Sequence, residues 1–423
     1  MENQQYTPDF SGQATPSEAE NSAQAQNPAA QTPPDNGQYA AQNPYGQNGY
    51  GYTQTPPYGY PLYGQTPRGG YSPQYTPPPY GQTPYYGQGG YAGAPYSGYP
   101  QMPTDPNLQK KKAENRALRT MSMAHGFSVL GFSGLAYAVS ACLALIPGFR
   151  AGYMGNMLFQ EAVNAAFSLI IIFVPFFLSY LFQKKRGLTK DLPLGTPNDG
   201  KAAILLIFIG VACCVAASYA SGILLSVIEE LFGITFTMPE SDAVYNTVPM
   251  FLLGVLGTAV VPAFVEEFAI RGVVFQPMRK YGEKFAIVMS ALVFALMHGN
   301  MMQIPFAFVA GVAIAYAVTV TGSMWVGVAI HFLNNFISVL MQTAVDTLPD
   351  TQENIVLLGI VALVFSLGIA SLVLYLKNYA REPLAKGSLL LSNGEKAKAY
   401  LCTVPMILAG ISLLVETAQY IEF

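Results

Sequence analysis

The sequence predicts an all-α polytopic membrane protein with about eight to nine transmembrane helices and a disordered N-terminal tail. Three observations predict this fold class. Hydrophobic residues make up 51% of the 423 residues and charged residues only 11%, whereas a soluble globular domain carries about 25% charged residues. Apolar runs long enough to cross a hydrocarbon core recur after residue 105. Before that residue the chain is polar, proline-rich and nearly uncharged.

These shifts in composition divide the chain into four segments. Residues 1–105 form a Gln/Pro/Gly/Tyr-rich tail whose loose Tyr-Gly-Gln repeat has too few aliphatic residues to bury a core. Residues 106–247 hold N-terminal transmembrane helices, residues 248–343 a helical core with unusual ionisable residues, and residues 344–423 C-terminal transmembrane helices. The tail contains a single basic residue, Arg68, so nucleic-acid binding is not supported. A plain spacer and a segment that recruits protein partners both remain open for it.

Nine apolar runs are candidate membrane spans. The loop between the fifth and sixth runs is very short, which is why the count is eight to nine. The opening residues are polar, so no cleavable signal peptide is expected and insertion depends on the internal spans. The runs cover residues 122–146, 160–183, 202–228, 248–277, 285–302, 304–321, 323–343, 354–377 and 398–417.

The basic residues predict the orientation. All Lys and Arg residues except Arg68, Arg150 and Arg271 fall in segments on the same side of the predicted spans, which is 18 of 21. Basic residues accumulate on the cytoplasmic side of membrane proteins. The N-terminus is therefore predicted to be cytoplasmic. The Gln/Pro/Tyr-rich tail, together with the motifs described below, favours a bacterial plasma membrane.

Three ionisable residues interrupt the run 248–277. Glu266, Glu267 and Arg271 lie inside it, and each charge near the bilayer centre costs about 2.5–3.5 kcal/mol on insertion scales. On a helix Glu267 and Arg271 are i,i+4 neighbours and can pair, while Glu266 points about 100° away and is free for another partner. Pro262, one turn earlier, is expected to kink the helix.

Two further elements carry polar groups into the next runs. Phe294 and His298 share one helical face, and so do His331 and Asn335. Counted from the inner ends of their helices at 1.5 Å per residue, Glu266 and His298 lie about 20 Å deep, and His331 and Asn335 about 12–18 Å. We therefore expect these four side chains to meet near mid-bilayer. Carboxylate and imidazole groups that converge in this way can bind one divalent metal.

Each of these residues also has a purely structural interpretation. A single intramembrane histidine is often a hydrogen-bonded contact between helices. Glu267 and Arg271 can form a structural ion pair, Phe294 can serve in packing, and Asn334 can be incidental. His125, near the start of the first span, is expected at the membrane interface. The joint pattern, more than any single residue, favours a site.

The motifs Glu-Glu-x-x-x-Arg (266–271), Phe-x-x-x-His (294–298) and His-x-x-x-Asn (331–335), in this order, resemble the CAAX-protease and bacteriocin-processing (CPBP) family. This family of intramembrane glutamate-dependent metalloproteases includes CAAX prenyl protease 2 and lysostaphin-resistance-protein-A-like proteins. The resemblance covers roughly residues 248–340, with all three motifs intact. The His-Glu-x-x-His signature of other intramembrane metalloproteases does not occur.

The resemblance implies an intramembrane metal-dependent endopeptidase that hydrolyses a peptide bond of a membrane-associated protein or peptide. Glu266 would activate the attacking water, and a divalent metal, with Zn as the expected ion, would complete the site. The metal ligands implied are Glu266, His298, His331 and Asn335. The supporting residues implied are Glu267, Arg271 and Phe294.

Several functional alternatives stay open at the level of sequence. Buried Glu, Arg and His residues also build ion pathways, so a transporter or proton-coupled carrier is the main rival. A catalytically silent membrane scaffold on the same fold is another. The partners expected for an endopeptidase are the lipid bilayer and a peptide or membrane-protein substrate. Substrates of the family include prenylated proteins and secreted peptides, and self-immunity against bacteriocins is a further role.

Overall fold

The computed structural model describes residues 105–239, 243–379 and 383–423. The tail predicted for residues 1–105 lies outside them, apart from Asp105. Two short strands, β1 (Thr235–Phe236) and β2 (Ile421–Glu422), pair in an antiparallel arrangement. The helices are α1 (Pro106–Leu145), α2 (Pro147–Gly155), α3 (Met157–Lys185), α4 (Gly200–Phe232), α5 (Val248–Tyr281), α6 (Glu283–Leu296), α7 (Ile304–Thr321), α8 (Met324–Thr347), α9 (Asp350–Asn378), α10 (Asn393–Leu401) and α11 (Val404–Ala418).

The predicted fold class is confirmed, because the described residues form an all-α polytopic membrane protein. Seven of their helices are long and apolar enough to cross a membrane, or eight if α10 and α11 together form one broken span. Seven of the nine predicted runs correspond to these helices. The run 285–302 corresponds to the 14-residue helix α6, which begins two residues before the run, and to the turn that follows it. The run 398–417 starts inside α10, which is bent by 74° relative to α11.

Local sequence signals determine where several helices begin. Asp105 caps α1 by accepting from the backbone N–H of Asn107, and Asp199 caps α4 by accepting from two N–H groups of its first turn. A reciprocal capping box between Ser392 and Glu395 starts α10. Such side chains satisfy N–H groups that have no partner within the helix. They fix the helix starts at the ends of the bundle.

The core of the described unit is built around α5 and the helices on either side of it. Helix α5 packs against α3, α6 and α8, and α4 packs against α7, α8 and α9. Helices α6 and α7 form an antiparallel hairpin. The largest fully buried side chain is Arg271 on α5. An ionisable group therefore occupies the centre of the apolar core, and the side chains that it contacts there determine its role.

The basic segments of the chain meet at one end of the bundle. Lys111 forms an ion pair with Glu395 at 2.7 Å, and the backbone N–H of Ser388 donates to the carbonyl of Lys280. The opposite ends of the helices carry the strand pair β1–β2 and a contact from the Tyr245 N–H to Asp346. The segments that the sequence assigned to one membrane side therefore do lie together.

Candidate active site

Helix α5 contains two π-helical segments, Val255–Val260 and Phe268–Phe275, on either side of the turn that carries the glutamates. A π-helical turn inserts one extra residue per turn and recurs at functional sites. Pro262 is the second residue after the first segment, and the chain stays helical through it. The proline therefore does not end the helix, since the wider turn accommodates its missing N–H. The second segment changes the register between the glutamates and the end of α5.

The predicted pair of Glu267 and Arg271 is present. Both side chains are fully buried, and Arg271 Nε lies 3.1 Å from Glu267 Oε2. The N–H direction does not align for a hydrogen bond, so this contact is an ion pair held by charge. Arg271 also donates from Nη2 to the carbonyl of Gly311 at 3.3 Å and lies 4.8 Å from the ring centroid of Phe294. A cation over a desolvated aromatic face is stabilised by about 2 kcal/mol.

Two glycines make room for this buried pair. A Cβ on Gly327 of α8 would lie 2.8 Å from Glu267 Oε2, and one on Gly311 of α7 would lie 3.2 Å from the Phe294 ring. The sequence interpretation missed both glycines. In the sequence, the only sign of their role is that they are small residues in helices next to the one that carries the charged residues. They belong to the site because Gly327 sets how closely α8 approaches Glu267 on α5, and Gly311 sets how closely α7 approaches α6 beside Phe294.

His331 on α8 connects the two adjacent glutamates. Its Nδ1 lies 3.0 Å from Glu267 Oε1, and its Nε2 lies 3.8 Å from Glu266 Oε2. Because a carboxylate paired with arginine is an acceptor, Nδ1 of His331 is the nitrogen that donates to Glu267, and Nε2 faces Glu266. Glu267 therefore orients the imidazole as well as neutralising Arg271. The sequence analysis predicted only the pairing of Glu267 with Arg271.

His298 lies in the turn after α6, and not within a continuous helix over 285–302 as predicted. Helix α6 ends at Leu296, and Gly299 adopts a left-handed conformation with φ of 65°. Nδ1 of His298 is 2.9 Å from the carbonyl of Phe294, which keeps the predicted i,i+4 relation. Asn300 closes the turn by donating to the carbonyl of His298. The Nε2 atom of His298 is left for the cavity.

Asn335 lies one turn after His331 and completes the constellation. It donates from Nδ2 to the carbonyl of Thr258 at 2.9 Å, inside the first π-helical segment. Asn334, which the sequence interpretation treated as incidental, donates to Asn335 Oδ1 at 3.1 Å. The two amides therefore form a short chain. An amide nitrogen has two N–H bonds. Within the described residues, one N–H of Asn334 and one of Asn335 form these hydrogen bonds, and the second N–H of each has no protein acceptor.

One cavity of about 330 Å³ collects the predicted residues. Glu266, His298, His331 and Asn335 all line it, together with the ring of Phe294. His298 therefore faces the cavity and not the lipid. The expected convergence of the motifs from α5, the α6–α7 turn and α8 is present. Glu267 and Arg271 lie behind this layer, fully buried.

The donor set is of the kind that binds a divalent metal. Each imidazole has its Nδ1 held by a protein oxygen, Glu267 for His331 and the Phe294 carbonyl for His298. This second contact is typical of histidine ligands and leaves Nε2 for the ion. Within the described residues, no three His, Cys, Asp or Glu side chains are grouped closely enough to hold an ion as they stand. The residue types therefore suit a divalent metal, and the set of metal ligands remains a prediction.

His125 was predicted at the membrane interface, and this prediction is wrong. The side chain is fully buried, with Nδ1 3.0 Å from Tyr400 Oη and Nε2 3.1 Å from the carbonyl of Val273. Gln183 donates to the same carbonyl at 3.4 Å. Val273 lies in the second π-helical segment. His125 thus belongs to the packing that surrounds the site, although α1 carries none of the three motifs.

Comparison with known proteins agrees with this geometry. The family model described as "Type II CAAX prenyl endopeptidase Rce1-like" matches residues 248–337. A protein of Bacillus subtilis (strain 168) named "Putative membrane peptidase YdiL" is 24% identical over 212 residues, which cover 48% of this chain and 83% of that protein. No solved structure matches the chain.

The matched segment begins with α5 and ends within α8, so it contains all three motifs and the cavity. These matches support a CPBP family protein, and the apolar helices are those of an integral, multi-pass membrane protein. These matches support a CAAX-protease-like membrane peptidase.

Proposed function

We propose that this protein is an intramembrane endopeptidase that hydrolyses a peptide bond of a membrane-associated protein or peptide. One observation carries the proposal. A carboxylate and an imidazole, Glu266 and His331, lie 3.8 Å apart at the wall of the cavity, while a second carboxylate holds the far side of the imidazole. A base, an orienting group and room for a reacting water are the parts that peptide hydrolysis needs.

Glu266 is the proposed general base. A water in the cavity can donate one O–H to Glu266 and the other to His331 Nε2, which directs its lone pair at a substrate carbonyl. Transfer of the first proton to Glu266 produces the nucleophile as the oxygen attacks the carbonyl carbon. Glu266 then returns the proton to the leaving amine, so that the C–N bond breaks and the base is restored.

Two further groups assist in this scheme. The N–H bonds of Asn334 and Asn335 that are not used within the protein are donors for the negative oxygen that develops during attack, as in an oxyanion hole. Glu267 and Arg271 keep His331 in one tautomer and one orientation. They act through the imidazole, without touching the substrate.

A divalent metal, with Zn as the expected ion, is a separate part of the proposal. Glu266, His298, His331 and Asn335 would hold it. When bound, such an ion would lower the pKa of a water molecule to about 7 and polarise a carbonyl oxygen. The roles of the glutamate and the asparagines given above do not depend on the ion.

The substrate of the proposed enzyme is a membrane-bound or membrane-adjacent polypeptide. The cavity lies among membrane-spanning helices, and its walls include Pro262, Phe294 and Phe306 beside the polar groups. An extended segment with a small apolar side chain next to the scissile bond fits this lining. We further infer an N-terminus in the cytoplasm of a bacterium, which the grouping of the basic segments at one end supports.

The test uses the full chain, purified in detergent and incubated with a fluorogenic peptide library. We expect Glu266→Gln to lower cleavage by about 10²–10⁴-fold, the usual contribution of a general base. The matched control is Glu353→Gln in the first turn of α9, which removes a carboxylate far from the cavity and should cleave like wild type. Cleavage by the Glu266→Gln protein at the wild-type rate would contradict the mechanism.

A chelator distinguishes the metal from the glutamate. Loss of cleavage on chelation, with recovery on adding Zn²⁺, would support the metal part of the proposal. Unchanged cleavage in chelator would refute that part and leave Glu266 as the base. A wild-type protein that cleaves nothing in a broad library, although it is folded and monodisperse, would count against the endopeptidase proposal itself.

A further inference from the structure

A second cavity, away from the catalytic one, is a groove between α4, α6 and α7. It has a volume of about 480 Å³ and is lined almost entirely by apolar side chains, among them Leu206, Ile287, Val288, Val309 and Val312. We call it the apolar groove. Val288 and Val309 at its edge are 42% and 41% exposed on helices of the membrane bundle. The groove therefore opens towards the hydrocarbon of the bilayer.

The apolar groove is separated from the catalytic cavity by the packing of α4 against α7. Cys214 and Ile314 line the catalytic cavity, whereas their neighbours Cys213 and Ala313 line the groove. An occupant of the groove would therefore not touch Glu266 or the histidines. Its role is independent of the proposed peptidase chemistry.

At its end near the basic loops, the apolar groove meets a polar pocket of about 630 Å³. Lys284 and Leu384 line both spaces. The polar pocket also contains Lys386 and Lys396, and none of its described lining residues is an Asp or a Glu. We call it the basic pocket. An apolar groove that runs into a positively charged pocket matches the two ends of an amphiphile.

The neighbouring charges do not cancel those of the lysines. Glu283, adjacent to Lys284, is engaged by Arg279 at 2.7 Å and by the Ala385 N–H at 2.8 Å. Lys396 is buried and donates to the carbonyl of Tyr281, which is an uncharged partner. Both Lys284 and Lys386 are exposed. The basic pocket therefore offers two exposed ammonium groups and one buried one.

We propose that the apolar groove and the basic pocket together bind an anionic phospholipid, with an acyl chain in the groove and the phosphate near Lys284 and Lys386. Basic pockets between transmembrane helices bind anionic lipid head groups, and the anionic lipids of a cytoplasmic leaflet attract basic residues. The basic pocket lies at the end of the bundle where the Lys- and Arg-rich segments meet. The lipid would join α4, α6 and α7 to the segment 383–396.

Native mass spectrometry of the full chain in detergent tests the proposal. The protein is titrated with phosphatidylglycerol or with phosphatidylcholine of the same acyl chains, and the lipid retained per protein is measured. We expect wild type to retain phosphatidylglycerol in preference to phosphatidylcholine. The double variant Lys284→Ala/Lys386→Ala should lower the affinity for phosphatidylglycerol about tenfold, since both ammonium groups near the phosphate are lost.

Two controls separate the charge of the site from the general charge of the protein. Lys112→Ala/Lys190→Ala removes two exposed lysines of the same end outside the basic pocket and should bind like wild type.

Val309→Trp fills the mouth of the groove with little change in buried packing and should lower retention of phosphatidylglycerol without removing any charge. Leu358→Trp, on a lipid-facing part of α9 where Leu358 is 71% exposed, should have no effect.

Three results would overturn the proposal. One is equal retention of the two lipids by wild type. Another is equal affinity of the two double lysine variants for phosphatidylglycerol. The third is full retention by Val309→Trp, which would mean that no chain enters the groove. Glu266→Gln should bind the lipid like wild type, so failure of the peptidase proposal and failure of this one are observed separately.

Discussion

At the scale of single residues, two adjacent carboxylates have different environments. Glu267 is fully buried and contacts Arg271 and His331, whereas the side chain of Glu266 is 22% exposed and lines the cavity. The 100° rotation between successive helical residues produces this division. One carboxylate is committed to the protein and the other remains available to a water. Neighbouring groups of the same type thus serve different purposes.

Gly327 provides a test of how tightly the committed carboxylate is held. A Cβ at this position would lie 2.8 Å from Glu267 Oε2 and 2.9 Å from a methyl group of Val318. We expect Gly327→Ala to lower stability by about 1–3 kcal/mol, the usual cost of overpacking a close-packed core. It should also reduce peptidase activity, because displacing Glu267 reorients His331. Thermal unfolding in detergent and the cleavage rate measure the two effects.

The matched control is Gly359→Ala on α9, where a Cβ would meet nothing within 4 Å. Alanine has the higher helix propensity, so this variant should melt at or slightly above the wild-type temperature. If Gly327→Ala melted and cleaved like the control, Glu267 would have more space than the contacts indicate.

The sequence predicted the residues of the cavity better than the residues around it. Glu266, His298, His331 and Asn335 are recognisable because polar groups are rare and costly inside apolar runs. Gly311 and Gly327 carry no such signal, since small residues are common wherever membrane helices pack closely. The contact from His331 to Glu267 was also unpredictable, because helical spacing alone does not indicate which carboxylate a neighbouring helix meets.

At the scale of elements, the π-helical segments of α5 depend on side chains from other helices. A π-helical turn interrupts the regular hydrogen bonds, and the carbonyls of Thr258 and Val273 accept from side chains outside α5. Asn335 of α8 serves the first carbonyl, and His125 of α1 and Gln183 of α3 serve the second. Buried carbonyl groups need such partners. The shape of α5 is therefore a property of the bundle.

His125→Ala tests this dependence. The change leaves the buried Tyr400 hydroxyl without its partner, which costs about 1–3 kcal/mol, and leaves Gln183 as the side chain that donates to the Val273 carbonyl. We expect a lower melting temperature and weaker cleavage, because Val273 follows Arg271 by two residues. Met123→Ala, two residues earlier on α1 and 39% exposed, is the control and should change neither. An unchanged melting temperature for His125→Ala would mean that the second π-helical segment is stable without it.

Elements are predictable where composition alone determines them. Long apolar runs such as α3, α4 and α9 were located from hydropathy, because a span in lipid must be helical and about 20 residues long. The two deviations are α6 and the pair α10–α11, whose helices of 14, 9 and 15 residues are each too short to cross the hydrocarbon core alone. Their turns use Gly299 with a positive φ and a 74° bend before Thr403. Hydropathy does not report such breaks, since the residues around them stay apolar.

At the scale of the whole molecule, the distribution of charge and the fold agree. Basic segments that are far apart in sequence contact one another at one end, through Lys111 with Glu395 and through Ser388 with Lys280. Helix α4 starts beside this end at Gly200 and runs for 33 residues to Phe232, about 50 Å at 1.5 Å per residue. Its far end therefore lies on the opposite side of a bilayer whose hydrocarbon core is about 30 Å thick.

Cysteine labelling at the two ends of α4 tests the orientation. In a cysteine-free background, Asp191→Cys marks the loop before α4 and Met238→Cys the segment after it. Both side chains are accessible, with Asp191 89% and Met238 50% exposed. Because basic residues favour the cytoplasmic side, a membrane-impermeant maleimide added to intact cells should label only Met238→Cys. Opening the cells should expose Asp191→Cys to the reagent. The reverse labelling pattern in intact cells would mean that the bundle has the opposite orientation, with the basic pocket at the outer leaflet.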